Sequence, residues 1–405
     1  MKVLYYHQHF STPDGSTGTR SYEMAKALID RGHDVTMICG SSNTGRTGLR
    51  SAFSRGKREG LVDGINVIEL ELPYSNSDNF IRRTWTFLKF ALRGVAVALS
   101  RDYDLLFATT TPLTVGIPGI FAKLLRRKPF IFEVRDLWPE LPREMGVITN
   151  PVILWAMGVL EWMSYRSADR CIGLSPGIVD GIARLGVSRD RITMVPNGCD
   201  LELFNPDKGT PRRPEGVDEN DFSAVFTGAH GMANGLDAVL DAAAFIKKKG
   251  RQDIRLVFIG DGKLKPALVE RANSENLDNC LFLDPVSKKE LTSLMQGCDV
   301  GMMILANVPA FYYGTSPNKF FDYIASGMPV LNNYPGWLAD LVTEYQCGIA
   351  VPPEDPEAFA EALMVMADDR QRTDQMGRQA RALAENKFDR VNLAESFCDW
   401  LEGVR

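Results

Sequence analysis

Short apolar runs alternate with segments of helical period along most of the chain. Residues 3–6, 35–38, 67–70, 105–108 and 130–134 are runs of mostly apolar residues, drawn largely from Val, Ile, Leu, Phe and Tyr. Runs of that length, bounded by polar turns, read as strands covered on both faces. Residues 171–174 and 192–195 continue the series. Between them apolar positions recur every three or four residues, most clearly over 21–31, which Gly32 closes. Strands alternating with helices predict βαβ units and a parallel sheet. The alternation then breaks. "NPDKGTPRRPEGVDEND", residues 205–221, is rich in Pro, Gly and charge and has no apolar period, so it reads as a linker. It restarts with strands at 224–227, 256–259, 281–283, 300–304, 330–331 and 349–351. From Phe388 the chain is helical, with Leu393, Phe397, Trp400 and Leu401 on one side. The expectation is α/β: two Rossmann-like parallel-sheet domains, 1–205 and 222–387, joined by a linker at 206–221 and followed by a helix at 388–405. Open parallel sheets bind ligands beyond the carboxyl ends of their strands, so the two domains are expected to face each other across a ligand.

Bulk composition narrows the classes. The 405 residues are 45% hydrophobic and 24% charged, an ordinary globular balance for more than one domain. A net charge of −5 gives no footprint for a nucleic-acid partner. The seven cysteines are odd in number and form no Cys-x-x-Cys pair, which points to a reducing cytosol rather than a disulfide framework or structural zinc. His7, His9, His33 and His230 lack metal-site spacing, so no metal is expected. The chain opens directly on a strand pattern, with no signal peptide expected. No apolar stretch reaches the roughly 20 residues that span a bilayer. The nearest, 113–125, contains Pro118 and Lys123.

One stretch carries more chemistry than packing requires. In "GTSPNKFFDYIASGMPV", residues 314–330, Ser316 suits an N-cap, Pro317 suits the first helical position, and Gly327-Met328-Pro329 ends the helix. The free N–H groups of a helix start, here followed by Asn318, attract phosphates. Lys319 and Asp322 are three apart and share a face. A nucleotide presents the matching order, phosphates and then ribose hydroxyls. A capped helix with a solvated ion pair fits the same residues.

Each half also opens on a glycine-bearing loop after its first strand. The first is "HQHFSTPDGSTGTRS", with Gly15 and Gly18 before Thr19 and Arg20; the second is "FTGAHGMANG", with Gly228, His230, Gly231 and Gly235. Glycine lets a backbone approach a phosphate or sugar, and it equally serves turns that need positive φ. Neither loop is a dinucleotide fingerprint or a P-loop. "IGDGKLKP" adds Lys263 and Lys265 at another strand end. "FEVRDLWPE" ends a strand in Glu133, Arg135, Asp136 and Glu140, charges that serve either chemistry or a local ion-pair network. No Gly-x-Ser-x-Gly elbow is present.

Together "GTRSYEMAKALIDRGHDVTMIC", "DLWPE", "VPNGCDLELF" and "SPNKFFDYIASGMPV" resemble glycosyltransferase family 4, with the GT-B fold, over nearly the whole chain. Within that family the chain is most similar to bacterial surface-polysaccharide enzymes of the WbuB type, which act on N-acetylated amino sugars. The resemblance implies a C-terminal helix that crosses back to the first domain. It also implies metal-independent retaining transfer from a nucleotide sugar, expected to be UDP-linked, with no other cofactor. The helix start at Ser316–Lys319 then receives the diphosphate and Asp322 grips the ribose. Gly228, His230, Gly231, Lys263 and Lys265 complete the donor site. Gly15, Gly18, Thr19 and Arg20 form an acceptor or phosphate loop, and Arg135, Asp136 and Glu140 are the catalytic candidates. The chain departs from the family where a second acid is usual, at Gly314, and where cations are usual, at Ala229 and Asn234.

Residues 80–99 bear on the acceptor. Ile81, Trp85, Leu88, Leu92, Val95 and Leu99 form a helical stripe, with Arg82, Lys89 and Arg93 away from it. Such a helix fits a peripheral membrane surface, at the inner face of the cytoplasmic membrane, or packs its stripe on the sheet. The acceptor implied is a glycan or polyprenyl-diphosphate-linked glycan in surface-polysaccharide synthesis. A non-hydrolysing sugar-nucleotide epimerase, a nicotinamide-dependent dehydrogenase and a silent sugar-nucleotide-binding protein are the competing classes.

Overall fold

The computed structural model describes residues 1–15, 18–42, 45–75 and 78–404. It divides into two compact units: Met1–Pro196 with Gly314–Ser316 and Val391–Arg405, and Asn197–Tyr313 with Pro317–Arg390. The division between Pro196 and Asn197 thus precedes the predicted linker. Residues 206–221 hold no strand or helix and are tied to the second unit, as where Arg212 N–H donates to Ser293 O (2.9 Å).

Among the described residues the first unit carries an eight-stranded sheet. Its strands are β1 (Lys2–Tyr6), β2 (Asp34–Ser42), β3 (Lys57–Val62), β4 (Ile65–Tyr74), β5 (Leu105–Thr109), β6 (Phe130–Val134), β7 (Arg170–Gly173) and β8 (Ile192–Met194). The order is β3-β4-β2-β1-β5-β6-β7-β8, and only β3 runs antiparallel. That strand was not expected, because its half-buried and exposed residues alternate on a polar edge instead of forming an apolar run.

Period-two alternation builds a core on each face. Leu4 and Tyr6 join one cluster, and Val3 and Tyr5 join the other. The Val3 side is covered by the helix Arg20–Asp30 and by the C-terminal helix Arg390–Glu402, through Phe397, Cys398 and Leu401. The Leu4 side is covered by the helices Phe80–Ser100, Gly116–Arg126, Pro151–Ser167 and Pro176–Arg184. The Phe80 helix does not lay its large apolar stripe on the sheet. It docks through Phe90, Ala91, Gly94 and Ala98, and Tyr6 Oη donates to Gly94 O (2.8 Å). A Cβ at Gly94 would lie 2.8 Å from Pro118 Cγ, so only glycine permits this approach. Ile81, Trp85, Leu88, Leu92 and Leu99 are left exposed.

The second unit holds a six-stranded parallel sheet in the order β11-β10-β9-β12-β13-β14. Its strands are β9 (Phe222–Thr227), β10 (Ile254–Ile259), β11 (Cys280–Leu283), β12 (Val300–Met303), β13 (Val330–Asn332) and β14 (Gly348–Ala350). β9 lies at the centre and is buried throughout. The glycine loop 228–235 leaves its carboxyl end, and Gly260–Gly262 leaves the neighbouring end of β10, where ligands gather in parallel sheets.

Candidate active site

The helix Asn318–Ala325 is held under the end of β9 by aromatic packing. Phe320, Phe321, Tyr323 and Ile324 are buried. Tyr323 Oη accepts from Thr227 N–H (3.0 Å), and its ring sits where a Cβ on Gly301 would lie 2.5 Å away. Spacing then brings Lys319 and Asp322 to the opposite, half-buried side. The helix begins one step later than expected. Pro317 occupies the cap with extended backbone, so the start carries no side-chain cap and Ser316 lies before it. Gly327, at φ +68°, ends the helix where predicted.

Lys319 is the cation of this site. Its Nζ donates to Asn234 Oδ1 (2.6 Å) and stands 4.0 Å from the centroid of the Phe226 ring. Asn234 in turn donates to Ala229 O (2.7 Å), which ties the ammonium to the glycine loop. Burial without an acidic partner lowers the lysine pKa to about 7. Gly228 has φ +126°, and a Cβ there would come within 3.8 Å of Lys319 Cε, so the glycine keeps the backbone open beside the ammonium. Asp322 makes no side-chain hydrogen bond or ion pair among the described residues. Burial raises its pKa to about 6, opposed by the charges of Lys288 and Arg390. A desolvated cation and a desolvated carboxyl on one helix face form an electrostatically expensive pair of positions, the kind that clusters at functional sites.

The other predicted donor-site residues separate into roles. His230 is fully buried, with ring centroids of Phe226, Phe258 and Phe282 at 5.8, 6.4 and 6.3 Å. Neither ring nitrogen meets the geometry of a hydrogen bond, and burial lowers its pKa, helped by Lys265. Gly231 precedes the short turn Met232–Asn234. Lys263 is exposed. Lys265 is not available as a phosphate cation in this arrangement. Its Nζ donates to Gly260 O, Leu283 O and Asp284 Oδ1 at 2.9, 2.9 and 2.8 Å, so its three donors clamp the ends of β10 and β11.

In the first unit the strand ends converge on Glu133, a residue passed over for its neighbours. Glu133 is fully buried and accepts from Arg20 Nε (3.2 Å), Arg20 Nη2 (2.8 Å), Thr109 Oγ1 (2.7 Å) and Arg135 Nε (3.3 Å). Burial works to raise its pKa, but the Arg20 and Arg135 charges and these hydrogen bonds hold it at about 2. Arg20 also donates to Pro196 O (2.7 Å) and Val195 O (2.8 Å), so this expected phosphate-loop cation is an internal clamp instead. Gly15 and Gly18 lie in the loop ahead of it, and Thr19 precedes the helix without a side-chain cap. Arg135 reaches Thr109 Oγ1 and Ser21 Oγ, both at 2.8 Å.

Asp136 is half-buried at the same strand end. Burial raises its pKa, while a hydrogen bond from Thr111 Oγ1 (3.3 Å) and the Arg135 charge oppose the rise. Glu140 is not part of this network. Its carboxylate pairs with Arg184 (2.9 Å) at the surface. His7 and Gln8, directly after β1, complete the strand-end group. Both are buried, with His7 Nδ1 and both amide atoms of Gln8 unpaired, and burial and the Arg135 charge keep His7 neutral. Their signal was in the sequence, as polar residues at the mouth of a buried strand.

Residues 15–198 match the family described as "Glycosyl transferase 4-like domain", and residues 207–383 match "Glycosyl transferases group 1". D-inositol 3-phosphate glycosyltransferase of Paenarthrobacter aurescens (strain TC1) is 30% identical over 233 residues. That match spans about half of each protein, 54% of this chain and 54% of the relative. Two solved structures share the fold over nearly their whole length. Anabaena HepE in complex with UDP and glucose has a TM-score of 0.69 at 18% identity, covering 99% of both chains. WaaG, a glycosyltransferase involved in lipopolysaccharide biosynthesis, has a TM-score of 0.71 at 16% identity, covering 99% of this chain and 100% of its own.

Proposed function

We propose, for a chain that belongs to the family 4 glycosyltransferases of GT-B fold, a retaining transfer of a sugar from a UDP donor to a glycan or polyprenyl-linked acceptor. The sugar proposed is an N-acetylated amino sugar, and the setting is bacterial surface-polysaccharide synthesis at the inner face of the cytoplasmic membrane. The single observation that carries the reading is the Lys319–Asp322 pair beside the Gly228 loop. A ligand that brings a diphosphate to Lys319 and ribose hydroxyls to Asp322 relieves both desolvation costs at once. HepE, whose solved complex holds UDP and glucose, supports a UDP donor by likeness of fold. The role of WaaG in lipopolysaccharide biosynthesis supports the polysaccharide setting in the same way.

The chemistry follows from where charge grows. As the glycosidic bond to the diphosphate stretches, the sugar becomes oxocarbenium-like and negative charge builds on the leaving group. Lys319, the backbone N–H groups of Ala229 and Gly231 and the start of the Asn318 helix stabilise that charge, while the N–H groups of Gly228 and His230 are held by Ile259 O and Asp261 O. Asp136 orients the acceptor hydroxyl, with Thr111 Oγ1 donating to its carboxylate and the Arg135 charge favouring its ionised form. A lipid-linked acceptor is met at a bilayer, and residues 80–99 offer apolar and basic surface for peripheral contact.

The test is UDP release from a panel of UDP-sugars, with and without polyprenyl-diphosphate-linked glycans. Acceptor-dependent release with a glycosylated product supports the proposal. Isomerisation of the donor without acceptor would identify an epimerase, and tight UDP-sugar binding without turnover would identify a silent binding protein.

A further inference from the structure

The helices Phe80–Ser100, Gly116–Arg126 and Pro151–Ser167 lie side by side on one face of the first sheet. All three spend small residues on their inner contacts. Gly94 abuts Pro118, Gly119 abuts the Phe130 ring, and Gly116 abuts Ser164. Their large apolar residues consequently point outward, among them Ile81, Leu92, Leu124 and three tryptophans. Trp85, Trp155 and Trp162 are 57%, 71% and 50% exposed. The chain has six tryptophans, so half of them stand on this one surface. A contiguous exposed apolar face spread over three helices marks a contact surface.

Its charge identifies the partner. Between residues 80 and 128 there are nine Lys and Arg against Asp102 and Asp104, in a chain of net charge −5, and of the nine Arg82, Arg101 and Lys123 pair with Asp78, Glu59 and Asp169. Lys89 has its ammonium 5.4 Å from the Trp85 ring centroid, and Arg127 is exposed at the end of the Gly116 helix. Neither makes an ion pair among the described residues. A second copy seated on this face would set it against itself, basic rim to basic rim. An anionic bilayer meets both features, phosphates for the cations and an interfacial layer for the indoles. Among the described residues no helix is long and apolar enough to cross a membrane, so the contact is lateral.

We propose that this three-helix face seats the protein on anionic lipid bilayers, with Trp85, Trp155 and Trp162 at headgroup depth and Lys89 and Arg127 against lipid phosphates. This extends the contact proposed for residues 80–99 to two further helices. It is independent of the transfer reaction, because vesicle binding is measured without donor or acceptor.

The experiment is co-sedimentation of the full chain with phosphatidylcholine vesicles, with and without phosphatidylglycerol, together with quenching of tryptophan emission by brominated lipid. Wild type is expected to bind only the anionic vesicles, less so with added salt, and to be quenched. A Trp155→Ser/Trp162→Ser variant is expected to lose at least about tenfold in partitioning while keeping its thermal midpoint, since both rings are exposed. A Lys89→Glu/Arg127→Glu variant is expected to lose a similar amount. Absence of wild-type binding, or binding unchanged in both variants, overturns the proposal. So does a concentration-dependent dimer in solution that the tryptophan variant dissolves, which would assign the face to self-association.

Discussion

Lys319 Nζ donates to Asn234 Oδ1 at 2.6 Å, while burial holds the lysine pKa at about 7. The unfolded chain carries that lysine near its usual 10.5. Between those values the folded protein binds fewer protons, so the burial penalty is full below pH 7 and fades as pH rises toward 10.5. Lys319→Met removes it and is expected to raise the thermal midpoint of the unliganded protein at neutral pH. The same variant is expected to bind UDP roughly 10–150-fold more weakly, the equivalent of a charge-assisted hydrogen bond of about 1.5–3 kcal/mol. Wild-type UDP affinity is expected to fall as pH rises through 7, because the lysine must be protonated to meet the diphosphate. Calorimetric titrations across that range check this, and an equally steep fall in Lys319→Met would remove the lysine from the site.

Much of this architecture was legible because buried parallel strands write themselves as apolar runs. Every strand predicted from such a run lies in one of the two sheets. The polar edge strand β3 was missed for the same reason. Side-chain partners were harder, since they depend on contacts far apart in sequence. Arg20 sits in a glycine-bearing loop and looks like a phosphate ligand. Its partner Glu133 is 113 residues away, and only the fold reveals the pair as internal. Lys265 misled similarly, because a strand-end lysine looks free until the carbonyls of Gly260 and Leu283 arrive beside it. The Phe80 helix shows a third limit. Helical period identifies a stripe, but it does not say that Ala91, Gly94 and Ala98 make the buried face and leave Trp85 outside.

Asp322 has the opposite sign from Lys319. Burial raises its pKa from 3.8 to about 6, so the folded chain binds more protons between those values. The stability this contributes is complete below pH 3.8 and lost as pH rises through 6. Asp322→Asn should therefore stabilise the unliganded protein at pH 7 and weaken its UDP-sugar binding, by roughly 10–150-fold if two ribose hydroxyls lose a charged acceptor. Binding of UDP compared with binding of inorganic diphosphate localises the effect. A loss shared equally by both would place Asp322 away from the ribose.

Glu133 is expected to govern acid stability. Its pKa falls from 4.5 unfolded to about 2 folded, so its contribution is present above 4.5 and lost as pH drops through 2. Glu133→Gln leaves Arg20 buried with its charge unanswered, which costs about 3–5 kcal/mol. Urea unfolding at pH 7 should show that loss, and the pH dependence of stability between 4.5 and 2 should be shallower in the variant. Unchanged stability would mean that the carbonyls of Val195 and Pro196 suffice to hold Arg20.

Asp136 separates chemistry from binding. It is half-buried at the end of β6, and burial raises its pKa despite Arg135 and Thr111. As the group that orients the acceptor hydroxyl it must be ionised, so turnover should rise with pH as it loses its proton. Asp136→Asn keeps the shape and the contact with Thr111 but removes the charge. It should lower kcat by about 10²–10⁴-fold, the range of a positioned acid–base group, with UDP affinity and thermal midpoint close to wild type. Single-turnover transfer and UDP titration on the same preparation make the comparison. A variant with wild-type kcat would pass the role to another group in the first unit, with the neutral His7 the first to replace.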